Sequence, residues 1–271
     1  MNILDQIVAY KKQEVAERKE LYPVKLLEKS LYFSSPSVSL KKYLARKDKS
    51  GIIAEFKRKS PSKGIINAYA DVEETSIGYM RAGASALSVL TDHHFFGGSN
   101  EDLKTARKFN FCPILRKEFI IDEYQLYEAR SIGADAILLI AEILSEKEVK
   151  QLADLAKSLE MEVLMEVHSK AQLQKASGSV DIIGVNNRNL ETFEVDIQTS
   201  HELLNHIPAD TFKISESGIN QPEVVCQLKE AGYDGFLIGE LFMRSSHPGK
   251  SCLKLIEELN QLVDCQPAKE E

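Results

Sequence analysis

Residues 51–64 read GIIAEFKRKSPSKG. The opening apolar, β-branched run has the composition of a strand buried on both faces. Glu55 and Lys57 follow two residues apart, which sets both side chains on one side of that strand near its C-terminal end. An open doubly wound sheet would carry a glycine-rich fingerprint after its first strand. Charged side chains stand there instead.

The same unit recurs eight times. Further candidate strands are ALSVL from Ala86, PILRK from Pro113, AILLIA from Ala136, EVLMEV from Glu162, DIIGVNN from Asp181, FKISES from Phe212 and GFLIGE from Gly235. Between them run segments such as VEETSIGYMRAGA, NEDLKTARKF, DEYQLYEARSIGADA, SEKEVKQLADLAKSLE, SKAQLQKAS and QPEVVCQLKEAGYD, with apolar residues at three- and four-residue spacing. Ser145 with Glu148 three residues on forms a capping box, and Gly83, Gly133 and Gly232 stand where left-handed helix ends are expected. Eight such units in 271 residues predict an α/β fold, a single closed (β/α)8 TIM barrel.

Residues 49–271 would form the barrel and 1–48 an N-terminal helical extension packed on it. Ile3, Leu4, Ile7 and Val8 mark an apolar stripe on a helix that runs on through KKQEVAERK, and Leu40, Tyr43 and Leu44 mark a second, short helix. Periodicity does not say which end of the barrel they cover.

A net charge of -7 argues against nucleic acid or an anionic membrane as partner. The cysteines Cys112, Cys226, Cys252 and Cys265 lack C-x-x-C spacing and read as reduced thiols. No run is long enough for a signal peptide core or a membrane span, so a cytoplasmic protein is expected, and a monomer.

The same alternation brings Lys117, Glu166, Asn186, Arg188 and Glu216 to strand ends beside Glu55 and Lys57. Any one of them would pass as half of a structural ion pair. Gathered on one rim they incur a desolvation cost that a purely stabilising core avoids, and the C-terminal rim is where barrel enzymes hold their chemistry. Such a set suits acid–base work on a small anion. A lysine among apolar walls and beside another cation is expected to have a lowered pKa and to donate a proton.

Gly218 in SESGI and Gly239 in LIGE fall in the loops after the seventh and eighth strands, the usual phosphate position, and Ser60 could donate its hydroxyl to the same anion. His93, His94, His168, His201, His206 and His247 form no ligand spacing, and no Walker A, dinucleotide or G-x-S-x-G motif occurs. Neither a metal nor a cofactor is expected.

The runs IIAEFKRKSPSKG, SVLTDHHFFGGS, PILRKEFI, AILLIA, LMEVH, IIGVNNRNL, ISESGI and FLIGELFMR, with ILDQIVAYKKQEVAERK at the N-terminus, closely resemble the indole-3-glycerol phosphate synthase family across nearly the whole chain. The resemblance implies ring closure, decarboxylation and dehydration of 1-(2-carboxyphenylamino)-1-deoxyribulose 5-phosphate without a cofactor. It implies Lys117 as general acid positioned by Glu55, and Lys57 on the substrate carboxylate and available for the dehydration. Glu166 would be the second acid–base group, Asn186 would bond a substrate hydroxyl, and Glu216 would hold the lysines in register.

The resemblance also implies an aromatic slot of Pro61, Phe96, Phe119 and Leu138, with the ring's carboxylate on Lys57 or Arg188, and a phosphate on Ser60, Ser217, Gly218 and Gly239. Two features depart from the family. The chain has no Trp, and Glu240 follows Gly239 where it would repel a dianion if turned inward, so only backbone contact is expected there. Other phosphosugar barrels, such as a phosphoribosylanthranilate isomerase or a histidine-pathway cyclase, need Asp or Cys on the first strand. A non-catalytic phosphate-binding barrel has no use for Lys57, Lys117 and Glu166 together.

Overall fold

The computed structural model describes residues 2–264. Its eight long strands are β1 (Ile52–Phe56), β2 (Ala86–Leu90), β3 (Ile114–Lys117), β4 (Ala136–Ile140), β5 (Glu162–Val167), β6 (Ile182–Asn186), β7 (Phe212–Glu216) and β8 (Gly235–Ile238). Each pairs in parallel with its neighbours in sequence, and β8 closes on β1. Closure removes both sheet edges, so every strand can be apolar on two sides.

The two sides form two cores. Ile52, Ala54 and Phe56 of β1 belong to the outer cluster between sheet and helices. Ile53, Ala86, Leu115, Leu138, Leu164, Ile182, Ile214 and Leu237 fill the barrel interior. On β1 the inward residues are therefore the odd ones, and Glu55 stands directly above Ile53. The registers Glu55↔Ser88, Leu90↔Lys117, Ile140↔Glu166 and Asn186↔Glu216 bring the charged side chains to the same upper end of the barrel.

The crossover helices are α4 (Val72–Arg81), α5 (Asn100–Phe109), α6 (Tyr124–Ser131), α7 (Glu146–Ser158), α8 (Lys170–Leu173), α9 (Gln198–Leu204) and α10 (Pro222–Ala231), numbered after three helices of the extension. Ser145 and Glu148 form the capping box of α7. Gly83, Gly133 and Gly232 have φ of 98°, 91° and 120°, where a side chain would be strained. SKAQLQKAS yields only the single turn α8. Helices α9, α11 (Glu240–Met243) and α12 (Pro248–Asp264) lie outside the segments singled out in the sequence. Cys112, Cys226 and Cys252 are free thiols, and Cys265 lies outside the described residues.

The extension reaches both ends of the barrel. Helix α1 (Ile3–Leu21) brings Ile3, Leu4 and Ile7 to the wall of the cavity that holds Glu55 and Lys117. The one-turn α2 (Val24–Leu27) leads down the side, and α3 (Leu40–Leu44) closes the opposite end. Leu40 and Leu44 join the interior core, Lys41 N–H donates to Glu162 at the start of β5 (2.9 Å), and Val38 N–H donates to Asp135 just before β4 (2.8 Å). Leu44 is 4 % exposed and packs against Gly235 at the start of β8.

Leu44→Ala is expected to lower unfolding free energy by about 2–4 kcal/mol through loss of contacts and a residual void. Because α3 lies at the end remote from the charged rim, kcat/KM should stay within about twofold. Urea unfolding and steady-state kinetics check both halves; a large fall in kcat/KM with unchanged stability would contradict this separation.

Candidate active site

At the upper end of the barrel, Lys117 Nζ donates to Glu166 Oε2 at 3.0 Å and to Glu216 Oε2 at 2.5 Å. Glu166 and Glu216 are each 2 % exposed. Asn186 Nδ2 donates to the other oxygen of Glu166 at 3.1 Å, and Asn186 Oδ1 accepts from Arg188 N–H at 2.9 Å. The strands supply these groups from four directions: β3, β5, β6 and β7.

Glu55 does not hold Lys117. Its Oε1 pairs with Lys57 Nζ at 2.6 Å, because both side chains rise from the same side of one chain segment while β3 stands beyond β2. Lys117, which the family resemblance implies is positioned by Glu55, is hydrogen-bonded to the carboxylates of β5 and β7, and Glu55 acts on it only through its charge. The Glu55–Lys57 pair and the Lys117 cluster therefore face one cavity, and the Glu55 charge reaches both Lys117 and Glu216.

The expected lowering of the lysine pKa is overturned as well. Burial does lower Lys117, but Glu216 and Glu166 outweigh it and hold the ammonium above its ordinary range. Burial also pushes Glu166 up, and Lys117, His168 and the Asn186 amide more than reverse it, leaving this carboxyl below its ordinary value. For Glu216 burial wins. Lys117 offsets it only in part, the neighbouring Glu166 charge adds to it, and the group is pushed up to about 7. Two carboxylates flanking one lysine thus differ in proton affinity, the arrangement that assigns one as base and leaves the other able to carry a proton near neutrality.

Two glycines are explained by these acids. A Cβ at Gly184 would lie 2.3 Å from Glu216 Oε1, and one at Gly239 would lie 2.7 Å from Glu55 Oε1. Gly239 is thus required by Glu55 rather than by a left-handed turn, its φ being -134°. Gly218 has φ 77°, and a Cβ there would meet Val195 at 2.6 Å; the preceding Ser217 also holds positive φ, at 67°.

Pro61, Phe96, Phe119 and Leu138 all line the cavity of Lys117, with the rings of Phe96 and Phe119 tilted 38° at 5.7 Å between centroids. Ser217, Gly218 and Gly239 line an adjoining basin, whose wall also carries the cations Lys57, Lys63, Arg188 and Arg244. Ser60 stands apart from that basin. It is 7 % exposed on the short hairpin of Lys59–Ser60 with Gly64–Ile65, on the first cavity's wall, its Oγ 3.4 Å from Ser62 Oγ. Lys63 and Arg244 lie in the runs IIAEFKRKSPSKG and FLIGELFMR without a chemical role assigned there; the folded loops bring them to the basin.

Arg188 Nη2 pairs with Glu240 Oε2 at 3.2 Å, and Arg244 binds the other oxygen. The carboxylate that would repel an anion is thus neutralised from both sides. His168, at the end of β5, puts Nε2 3.5 Å from Glu166 Oε1.

A family model for indole-3-glycerol phosphate synthase matches residues 4–255. The chain is 48% identical over 258 residues to an indole-3-glycerol phosphate synthase of Bacteroides thetaiotaomicron, covering 95% of this chain and 99% of that one. It is 42% identical over 261 residues to that of Polaromonas naphthalenivorans, covering 95% and 99%. Among solved structures, tryptophan synthase subunit alpha from Legionella pneumophila is similar with a TM-score of 0.58 at 14% identity, covering 83% of this chain and 98% of that one, a likeness of fold alone.

Glu216 gives the site a pH signature. Its pKa is about 7 folded against an ordinary 4.5, so its stabilising contribution is complete below the unfolded value and is lost as pH rises through about 7. Between about pH 5 and pH 8 the wild type should lose on the order of 2–3 kcal/mol relative to Glu216→Gln. Urea unfolding of both proteins at the two pH values measures the gap. A gap that does not change with pH would contradict the assignment.

Proposed function

The chain belongs to the indole-3-glycerol phosphate synthase family, and from that premise we propose how its own side chains divide the reaction. It is a carboxy-lyase of tryptophan biosynthesis that converts 1-(2-carboxyphenylamino)-1-deoxyribulose 5-phosphate to indole-3-glycerol phosphate, carbon dioxide and water. The observation that carries the division of labour is the Lys117 ammonium, fixed by Glu166 and Glu216 in a cavity with aromatic walls beside a cation-rimmed basin.

The phosphate takes the basin, bonded by backbone N–H groups of Ser217, Gly218 and Gly239, with Lys63 and Arg244 supplying charge. Ser60, on the wall of the adjoining cavity, offers its hydroxyl from that side. The aromatic ring lies against Pro61, Phe96, Phe119 and Leu138, and its carboxylate meets Lys57 or Arg188. These two anchors stretch the sugar past Lys117 and bring its carbonyl toward the ring carbon that bears the carboxylate.

As that carbon attacks, the carbonyl oxygen gains negative charge and Lys117 donates to it. An ammonium held this firmly yields its proton only to a strongly basic oxygen, and ring closure generates such an oxygen at the moment it is needed. Loss of carbon dioxide then restores the aromatic ring. Dehydration needs an acid for the departing hydroxyl and a base for the proton lost beside it. Lys57, steadied by Glu55, supplies the first, and Glu166, whose carboxyl stays ionised, supplies the second. Asn186 orients Glu166 and reaches a substrate hydroxyl, and Glu216 keeps Lys117 in line.

Residues 1–48 act as the extension that closes the barrel and 49–271 as its catalytic body. A monomer is the form proposed to act. The free thiols of Cys112, Cys226 and Cys252 suit a cytoplasmic enzyme, and no helix among the described residues is long and apolar enough to cross a membrane.

With the carboxyphenylamino-deoxyribulose phosphate supplied and indole fluorescence followed, Lys117→Ala should lose about 10³-fold in kcat while keeping its circular dichroism. Lys57→Ala should combine a raised KM with a smaller loss of kcat. A Lys117→Ala protein that retained most of the activity would overturn the assignment of the general acid.

A further inference from the structure

The buried positions of α1 are Leu4, Ile7, Lys11 and Val15, the spacing of one helix face. Lys11 is thus a charge set inside an apolar stripe, and it is 2 % exposed. Its Nζ lies 2.6 Å from Glu14 Oε2, 2.9 Å from Asp92 Oδ2 and 3.0 Å from Glu118 Oε1. Burial lowers the lysine, but Glu118, Asp92 and Glu14 together hold it above its ordinary range, so it stays charged.

Asp92 and Glu118 follow β2 and β3, and each uses its remaining oxygen capacity on the loop that it begins. Asp92 Oδ1 accepts from the N–H groups of Phe95 at 2.7 Å and Phe96 at 3.1 Å. Glu118 Oε1 accepts from Phe119 N–H at 2.9 Å, and its Oε2 accepts from the Thr91 hydroxyl at 2.7 Å. One ammonium on α1 is therefore ion-paired with the two carboxylates that fix the backbone of Phe96 and Phe119, the paired rings of the cavity.

We propose that Lys11 is a positioning residue for the aromatic slot, acting through Asp92 and Glu118 on the loops that carry Phe96 and Phe119. It rests on the reading above that the substrate ring lies against those two side chains. Lys11 lies outside the set of residues lining that cavity. Without its charge, Asp92 and Glu118, 0 % and 4 % exposed, lose the ammonium they share, and Arg116 Nη2 at 3.9 Å from Glu118 Oε2 offsets only one of them. Like charges so placed turn apart or take up protons, and the backbone groups they hold shift with them.

The test is steady-state kinetics of Lys11→Met with the carboxyphenylamino-deoxyribulose phosphate, alongside Phe96→Ala and with inorganic phosphate as competitive inhibitor. A folded Lys11→Met protein should show KM raised about tenfold with kcat within about threefold, and a phosphate inhibition constant within about twofold of wild type. A purely structural tether would leave KM of the folded fraction unchanged. If KM is unchanged in Lys11→Met but raised in Phe96→Ala, the slot stands and the role of Lys11 is overturned; if it is unchanged in both, the slot fails and the proposal with it. Should Lys11→Met not fold, Asp92→Asn removes one partner's charge while keeping an acceptor. It should raise KM about threefold, and an unchanged KM overturns the proposal.

Discussion

The mouth of this barrel is organised around one ammonium held between two buried carboxylates. Lys117 bridges Glu166 and Glu216 at 3.0 and 2.5 Å, three charges in a space where water is scarce. Such a cluster is a poor way to gain stability, because desolvation takes back most of the attraction. It is a good way to keep a proton donor charged and aimed. Burial, with the Glu166 charge adding to it, lets Glu216 bind a proton near neutrality, whereas Lys117, His168 and Asn186 keep Glu166 ionised. The buried acids also account for two empty positions in the wall: Gly184 and Gly239 lack side chains where Glu216 and Glu55 need the room.

The rest of the chain supports that cluster from two ends. At the floor, α3 plugs the barrel with Leu40 and Leu44 and hydrogen-bonds the N-terminal ends of strands. At the mouth, α1 supplies an apolar wall through Ile3, Leu4 and Ile7, and one turn further on it supplies Lys11. The ionic seam continues along the helix: Arg18 pairs with Glu128 at 2.5 Å, and Glu128 also binds Arg116. An extension that packs by apolar contact alone could slide or lift; one keyed by buried charge has a single register.

Much of this was legible in the sequence because it depends on periodicity. Eight apolar runs alternating with helices give the barrel, and the period of two puts Glu55, Lys117, Glu166, Asn186 and Glu216 on the inward face at one rim. What periodicity does not encode is which charge meets which. Glu55 and Lys57 pair along one strand, whereas Lys117 finds its partners across the barrel on β5 and β7, and the direction of its pKa follows from those distances. Ser60 and Lys63 sit three residues apart in one loop, yet the hairpin turns them to different cavities. Lys11 falls in the charged run KKQEVAERK, and although Glu14 is a local partner, Asp92 and Glu118 lie about eighty and about a hundred residues away, beyond the range of any local pattern.

The central claim is that Lys117 remains an ammonium throughout the working range of pH because two carboxylates flank it. It is tested most directly by following the side-chain ¹⁵N resonance of Lys117, identified by its disappearance in Lys117→Arg, as pH is raised. The account predicts that the signal stays that of a charged ammonium to about pH 11 and beyond, above the ordinary lysine value of about 10.4. A lysine that titrated near about pH 8 would contradict it, and would point to burial rather than Glu166 and Glu216 as the force that sets its proton affinity.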